Sequence, residues 1–289
     1  VAYPLISVII ATLGDAQLVH DALDSLRRQT FKDFDVIIVN QGAPLVETVI
    51  KQYPDLAVQC HEVTIVGASL ARNYAASVAS GYWLAYMDDD AQYSPGFLER
   101  AVQALHKHAL DGITGIVIDA QKHRPIARSI SGKKSQFVHA DSFNLWMCSA
   151  SIVSKEIAIK IGGYDPEFGP GERWGCGEEA DFLLRLLNHK AKLYFDSNLC
   201  VYHPSETEKL NGLDLKRIWR RGFSYGAGRG ALIRKHSSKM PIWGFIQLIK
   251  TLLTSGLAVV QSILMIRFRY FFRDVANLCG RCYGFLMYK

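Results

Sequence analysis

Tyr82-Trp83-Leu84-Ala85-Tyr86-Met87-Asp88-Asp89-Asp90 is an apolar run that ends in three successive carboxylates. The continuous apolar stretch predicts a strand buried on both faces, which would deliver the aspartates to the rim of a sheet. Carboxylates crowded this closely repel one another, and the arrangement is best tolerated with a divalent cation between them. A solvated acidic turn capping the next helix is the alternative that the triplet alone leaves open.

Upstream, residues 5–11 read as a buried strand, 16–29 as an amphipathic helix and 34–39 as a second strand. A helix over 45–52, a strand over 57–61 and a helix over 69–80 follow before the acidic strand. This alternation predicts an α/β fold, Rossmann-like, with a mostly parallel sheet and helices on both faces. Ligands of such sheets bind beyond the carboxyl ends of the strands, where Thr12, Asn40, Gln41 and the aspartates fall. Downstream, a helix is expected over 97–106, a strand over 113–118, and a polar, basic, mobile loop over 119–139. Residues 145–153 read as extended and 154–161 as a helix. A Gly-rich loop over 169–177 leads into a helix over 178–187, and two short strands, 193–195 and 199–202, close the domain at His203-Pro204.

The 289 residues are 49% apolar with a net charge of +6, which excludes a disordered or fibrous chain and allows one large domain with an extension. Charge is unevenly spread: Lys and Arg number 18 against 23 Asp and Glu in residues 1–204, but 15 against 4 in residues 205–289. Such a basic, aromatic-rich tail suits nucleic acid or an anionic membrane, and the neighbouring apolar runs favour the membrane, so no nucleic-acid partner is expected. The six cysteines show no disulfide or four-ligand zinc spacing, and Cys279-Gly-Arg-Cys282 reads as structural. No cationic start followed by an apolar core is visible, so a cytosolic site is expected.

Ser7-Val8-Ile9-Ile10-Ala11-Thr12, Ala71-Arg72-Asn73, Asp88-Asp89-Asp90, Gly162-Gly163-Tyr164-Asp165, Gly177-Glu178-Glu179-Ala180-Asp181 and Tyr202-His203-Pro204 occur in this order. Together they resemble the ordered motifs of bacterial family 2 glycosyltransferases with the GT-A fold. The resemblance implies a catalytic domain over residues 1–204 and an inverting, metal-dependent transfer of a sugar from a nucleotide-sugar donor. It implies Asp90 as a ligand of Mn2+ or Mg2+, Asp88 near the ribose and uridine, and His203 as the second metal ligand. A satisfied loop histidine is the plainer reading of His203. Asp89 assists at the site or caps the following helix.

The same resemblance makes Glu179 the base that takes the acceptor's proton, with Glu178 as the alternative, since the family's Glu-Asp pair is Glu-Glu here. Asp181 is expected to stabilise the helix start or orient Arg185. Thr12, Asn40, Gln41 and Arg72 are expected at the nucleotide, with a UDP-sugar first and a dTDP-sugar second. Trp174 either stacks on a sugar or anchors its loop.

Residues 214–236 carry seven Lys and Arg among apolar side chains and read as an amphipathic basic helix interrupted by glycines. The uncharged part of the next apolar run, residues 251–266, is shorter than the roughly twenty residues of a spanning helix. Residues 205–289 are therefore expected to form a helical, membrane-associating region on the cytoplasmic face, serving a glycan or polyprenyl-linked acceptor in surface polysaccharide synthesis. A nucleotidyltransferase on a related sheet would need a Gly-rich, lysine-bearing loop where Leu13-Gly14-Asp15 stands. A non-catalytic binding scaffold is the remaining alternative.

Overall fold

The computed structural model describes residues 3–44, 46–126, 132, 134–204 and 212–289. The chain divides into two compact units: residues 1–164 with 182–205, and residues 165–181 with 206–289. The 165–181 loop thus groups with the C-terminal helices and not with the sheet.

In the first unit β1 (Ile6–Thr12), β2 (Phe34–Asn40) and β4 (Trp83–Asp88) are the apolar runs expected of strands covered on both faces, and nearly every residue in them is buried. Helix α1 (Ala16–Arg27) starts where the Asp15 carboxylate accepts from the backbone of Gln17 and Leu18 at 3.0 and 3.2 Å. It buries Val19, Ala22, Leu23 and Leu26, one helical stripe against the sheet. Each fully buried Val or Leu contributes roughly 1.5–3 kcal/mol. After α2 (Val46–Ile50), β3 (Val58–Glu62) pairs parallel with β2, and α3 (Ala68–Val78) leads to β4.

The second half departs from parallel pairing. Following β5 (Gln92–Tyr93), α4 (Phe97–His108), β6 (Gly112–Asp119) and β7 (Gln136–Phe137) come β8 (Ser151–Ser154), α5 (Lys155–Lys160), α6 (Glu178–Asn188) and β9 (Leu193–His203). Among the described residues nine strands form one sheet, ordered β3-β2-β1-β4-β8-β6-β9-β5 with β7 also on β9. Here β8 runs antiparallel to both β4 and β6.

Two expectations are corrected. Residues 145–153 are mostly not extended: 3-10 turns at Ala140–Leu145 and Cys148–Ala150 precede the short β8, because hydrophobicity alone does not distinguish a buried turn from a strand. The two closing strands are one, since β9 continues past its polar Asp196-Ser197-Asn198 step. The register against β6 shifts there between Thr114 and Ile116, and Ser135 Oγ donates to Asp196 at 3.0 Å. Within the expected 119–139 loop, residues 127–131 and 133 lie outside the described residues, as does the 205–211 junction.

In the second unit, α7 (Leu215–Ser237), α8 (Pro241–Leu264) and α9 (Phe268–Met287) pack on one another. The glycines of α7 do not interrupt it. A Cβ on Gly226 would lie 2.1 Å from the Asn277 carbonyl, and one on Gly284 of α9 would lie 1.9 Å from the Ala227 carbonyl. These glycines are the seam along which the two helices meet.

Candidate active site

The carboxyl rim of the sheet gathers the acidic motif. β4 ends at Asp88, and the two-residue β5 then pairs Gln92 with Tyr202 of β9, which brings the turn carrying Asp90 back to His203. One ligand atom from each of Asp88, Asp90 and His203 lies within 4.8 Å of the others. His203 Nε2 is 2.9 Å from Asp90 Oδ1 and 3.9 Å from Asp88 Oδ2. Its Nδ1 donates to the Pro204 carbonyl at 2.7 Å, so the ring is held with Nε2 turned to the carboxylates. Burial alone would lower the His203 pKa, but the Asp90 and Asp88 charges outweigh it and hold the ring up at about 9. Two carboxylates and an imidazole are a donor set that Mn2+ or Mg2+ accepts, with phosphate oxygens and water completing the shell.

Around this cluster the side chains brace one another. Arg72 is buried and its Nη2 donates to Asp88 Oδ1 at 2.8 Å, which removes the helix-surface reading of that arginine. Asp89 accepts from Thr12 Oγ1 at 2.7 Å, while burial, and then its two acidic neighbours, push its carboxyl above the ordinary range. Asn40 Nδ2 donates to the Glu62 carboxylate at 2.8 Å and to the Ala43 carbonyl, and Gln41 Nε2 donates to the Ile65 and Gly67 carbonyls. Both amides are therefore spent on their own chain, and the exposed Glu62, Asn40's register partner on β3, is a rim carboxylate the sequence did not single out. Its signal was its position, one strand over at the same carboxyl end.

Asn73 explains why two motifs recur together. Its Nδ2 donates to the Tyr164 carbonyl and its Oδ1 accepts from the Tyr164 amide, both at 2.7 Å. Gly163 lies at φ +68°, and a Cβ there would meet Asn73 Oδ1 at 2.3 Å, so only glycine fits under this clasp.

The expected base sits at the start of α6. Gly177, at φ +104°, turns the chain, and Glu178 and Glu179 open the helix, half-buried in a first turn that also carries Asp181. A helix N-terminus favours such charges. Asp181 does not serve Arg185, whose Nη1 donates to the Ile161 carbonyl. It is fully buried and takes Lys235 Nζ at 2.6 Å and His236 Nε2 at 2.9 Å, and Lys235 also reaches Asp165 Oδ2 at 2.5 Å. The sequence gave no hint of these α7 partners. Trp174 is 1% exposed and packs near Tyr283 and Tyr288, so it anchors the loop and offers no open ring face to a sugar.

Residues 7–154 match the family described as glycosyl transferase family 2, just over half of the chain. The chain belongs to glycosyl transferase family 2. Among its relatives, the uncharacterised glycosyltransferase YwdF of Bacillus subtilis is 25% identical over 185 residues, 62% of this chain and 67% of YwdF. TuaG of the same bacterium, a glycosyltransferase named for teichuronic acid biosynthesis, is 26% identical over 137 residues, 46% of this chain and 54% of TuaG. Other family relatives are matched over 16% to 33% of their own length. Of solved structures, S. aureus TarS 1–349 in complex with UDP superposes with a TM-score of 0.61 at 15% identity, covering 95% of this chain and 90% of that one. The mannosyltransferase PcManGT from Pyrobaculum calidifontis, in complex with GDP-Man and Mn2+, gives 0.61 at 14% identity over 98% and 87%. At these identities the likeness is one of fold, and the fold is GT-A.

Proposed function

We propose that this family 2 glycosyltransferase moves a sugar from a nucleotide-sugar donor, a UDP-sugar first and a dTDP-sugar second, to a glycan or polyprenyl-linked acceptor with inversion at the anomeric carbon. The observation that carries the reading is the convergence of Asp88, Asp90 and His203 at the carboxyl rim of a GT-A sheet. These three would hold Mn2+ or Mg2+, and the ion would neutralise charge developing on the departing diphosphate. Arg72 and Asp88, already paired, keep the rim carboxylate oriented toward that site. With the Asn40 and Gln41 amides committed elsewhere, Glu62 is the group with spare acceptor capacity for a base N–H. Glu179 is the proposed base: the acceptor hydroxyl gives it its proton as the oxygen bonds to the anomeric carbon and the bond to the diphosphate oxygen breaks. One displacement inverts the centre.

The tail supports membrane attachment. Helix α8 buries Gly244, Gln247, Thr251, Ser255 and Ser262, and leaves Ile242, Phe245, Leu253, Leu257 and Leu264 more than 60% exposed. A helix with its polar face inward and its apolar face outward is inverted for water and suited to hydrocarbon. At 24 residues α8 is also long and apolar enough to cross a membrane. Cationic Lys239, Arg267, Arg269 and Arg273 flank it and suit anionic headgroups, which favours attachment along the cytoplasmic surface. Named relatives such as TuaG favour a role in surface polysaccharide synthesis. The test is transfer by the full chain from a panel of nucleotide sugars with and without Mn2+, beside its Asp90→Ala and Glu179→Gln variants. Metal-independent transfer, or full transfer by Glu179→Gln, would remove the mechanism.

A further inference from the structure

The helical unit contains a second polar site. Between α8 and α9 lies a cavity of about 260 Å³ lined by Thr254, Ser255 and Ala258 on one side and Arg273, Asn277 and Arg281 on the other. Asp274 also borders it, but this carboxylate is already engaged. Arg273 donates to its Oδ1 from Nε at 2.8 Å and from Nη2 at 2.6 Å, and Ser262 Oγ donates to Oδ2 at 2.5 Å.

Arg281 is different. Its Nη1 donates only to uncharged acceptors, the Thr251 carbonyl at 2.7 Å and hydroxyl at 2.8 Å. Its buried Nε has no hydrogen-bond partner among the described residues. Burial pulls its guanidinium below the usual arginine range, and burial, to which the Arg281 charge adds, holds the nearby Arg229 down at about 10. A guanidinium withdrawn from water without an anion is costly, so the site is electrostatically incomplete. The Asn277 amide and the Thr254 and Ser255 hydroxyls supply further donors, and a tetrahedral oxyanion can use them all.

What borders the cavity identifies the rest of the ligand. Thr254 and Ala258 each follow by one residue the exposed Leu253 and Leu257, so the apolar face of α8 begins at the cavity's edge. A phosphate joined to a hydrocarbon chain matches both surfaces. We propose that the α8–α9 cavity, with Arg281 in its wall, binds the terminal phosphate of a membrane lipid whose chain lies along the apolar face of α8. This rests on the membrane attachment proposed above.

The experiment is co-flotation of the full chain with phosphatidylcholine vesicles that contain either phosphatidic acid, with an open terminal phosphate, or phosphatidylserine at equal surface charge. The full chain should bind the phosphatidic acid vesicles about tenfold more tightly, a difference of about 1.4 kcal/mol. Arg281→Met, and independently Ala258→Leu, which fills the cavity without touching a charge, should each erase that preference and leave phosphatidylserine binding as it was. Equal binding of the two vesicles by the unaltered chain, or a preference that survives both substitutions, overturns the site. If inorganic phosphate raises the melting temperature as much as a soluble short-chain phosphatidic acid does, the ligand is a free anion and the lipid assignment is overturned. Failure to float with either vesicle would sink membrane attachment itself, and this site with it.

Discussion

The sheet rim and the helical unit each hold two aspartates and a histidine, yet the two clusters differ in what neutralises them. At the rim, Asp90 meets His203, an imidazole with one nitrogen anchored to Pro204 and the other directed at the carboxylates, and all three rim side chains remain about a fifth or more exposed. In the helical unit, Lys235 stands between Asp165 and Asp181 while His236 caps the same Asp181, whose side chain is fully buried. Burial would lower the Lys235 pKa, but Asp181 and Asp165 raise it above the ordinary lysine range, so the ammonium stays charged. An ammonium cannot ligate a metal, whereas a neutral imidazole can. Similar acids therefore make an exchangeable site in one place and a sealed brace for the Glu178–Glu179 turn in the other.

The contrast can be broken by exchanging its two kinds of damage. Asp90→Ala should lower transfer about a thousandfold, the several kcal/mol of charge stabilisation that a bound metal supplies, and should abolish metal-dependent nucleotide binding without lowering the melting temperature. Lys235→Met should do the reverse: it strands buried Asp181 and costs about 3–5 kcal/mol of stability, while folded molecules still bind Mn2+. Calorimetric melting and Mn2+ titration of both variants decide it. A stable Lys235→Met protein would mean that the helical cluster is no brace.

Within the loop that this brace holds, Glu179→Gln should lower the turnover number by about 10²–10⁴-fold with little change in KM for the donor, and Glu178→Gln should cost far less. The opposite ranking would move the base by one residue.

The histidine at the rim gives the comparison a pH dependence. The folded-state pKa of about 9 lies above the ordinary 6.5, so the ion pair with Asp90 stabilises the metal-free protein fully below 6.5 and is lost as pH rises through 9. A metal must displace the same proton. Mn2+ affinity should therefore rise by up to about tenfold per pH unit between 6.5 and 9, and flatten above it. In His203→Gln the slope should vanish, and isothermal titration across that range reads both.

The rim was legible because its parts are local: the run from Tyr82 to Met87 can only be a buried strand, and a buried strand must end where the sheet ends. That His203 joins Asp90 was carried by the family resemblance, because the pairing depends on the two-residue β5, far too short to leave a periodic signal. Trp174, Asn40 and Gln41 stood at the right places in the chain. Whether a side chain faces the crevice or its own backbone is nevertheless decided by rotamer and neighbours, which spacing does not encode. Least legible was the helical unit. Lys235 and His236 read as part of a solvated basic face because nothing local announces Asp165 and Asp181, each more than 50 residues away.

The glycines of α7 show the same limit on the smallest scale. Read alone, Gly222, Gly226 and Gly230 are helix breakers, each costing about 1 kcal/mol against alanine. Set against α9 they are contact points, and the helix runs unbroken from Leu215 to Ser237. Gly226→Ala tests which reading governs. As a helix-propensity change it should stabilise by up to about 1 kcal/mol, but its Cβ would stand 2.1 Å from the Asn277 carbonyl, forcing α7 and α9 apart at a cost of about 1–3 kcal/mol. A fall of a few degrees in melting temperature is expected, with the rim's Mn2+ affinity unchanged. A rise would mean that the seam is loose and that α7 tolerates a wider separation from α9 than the packing here allows.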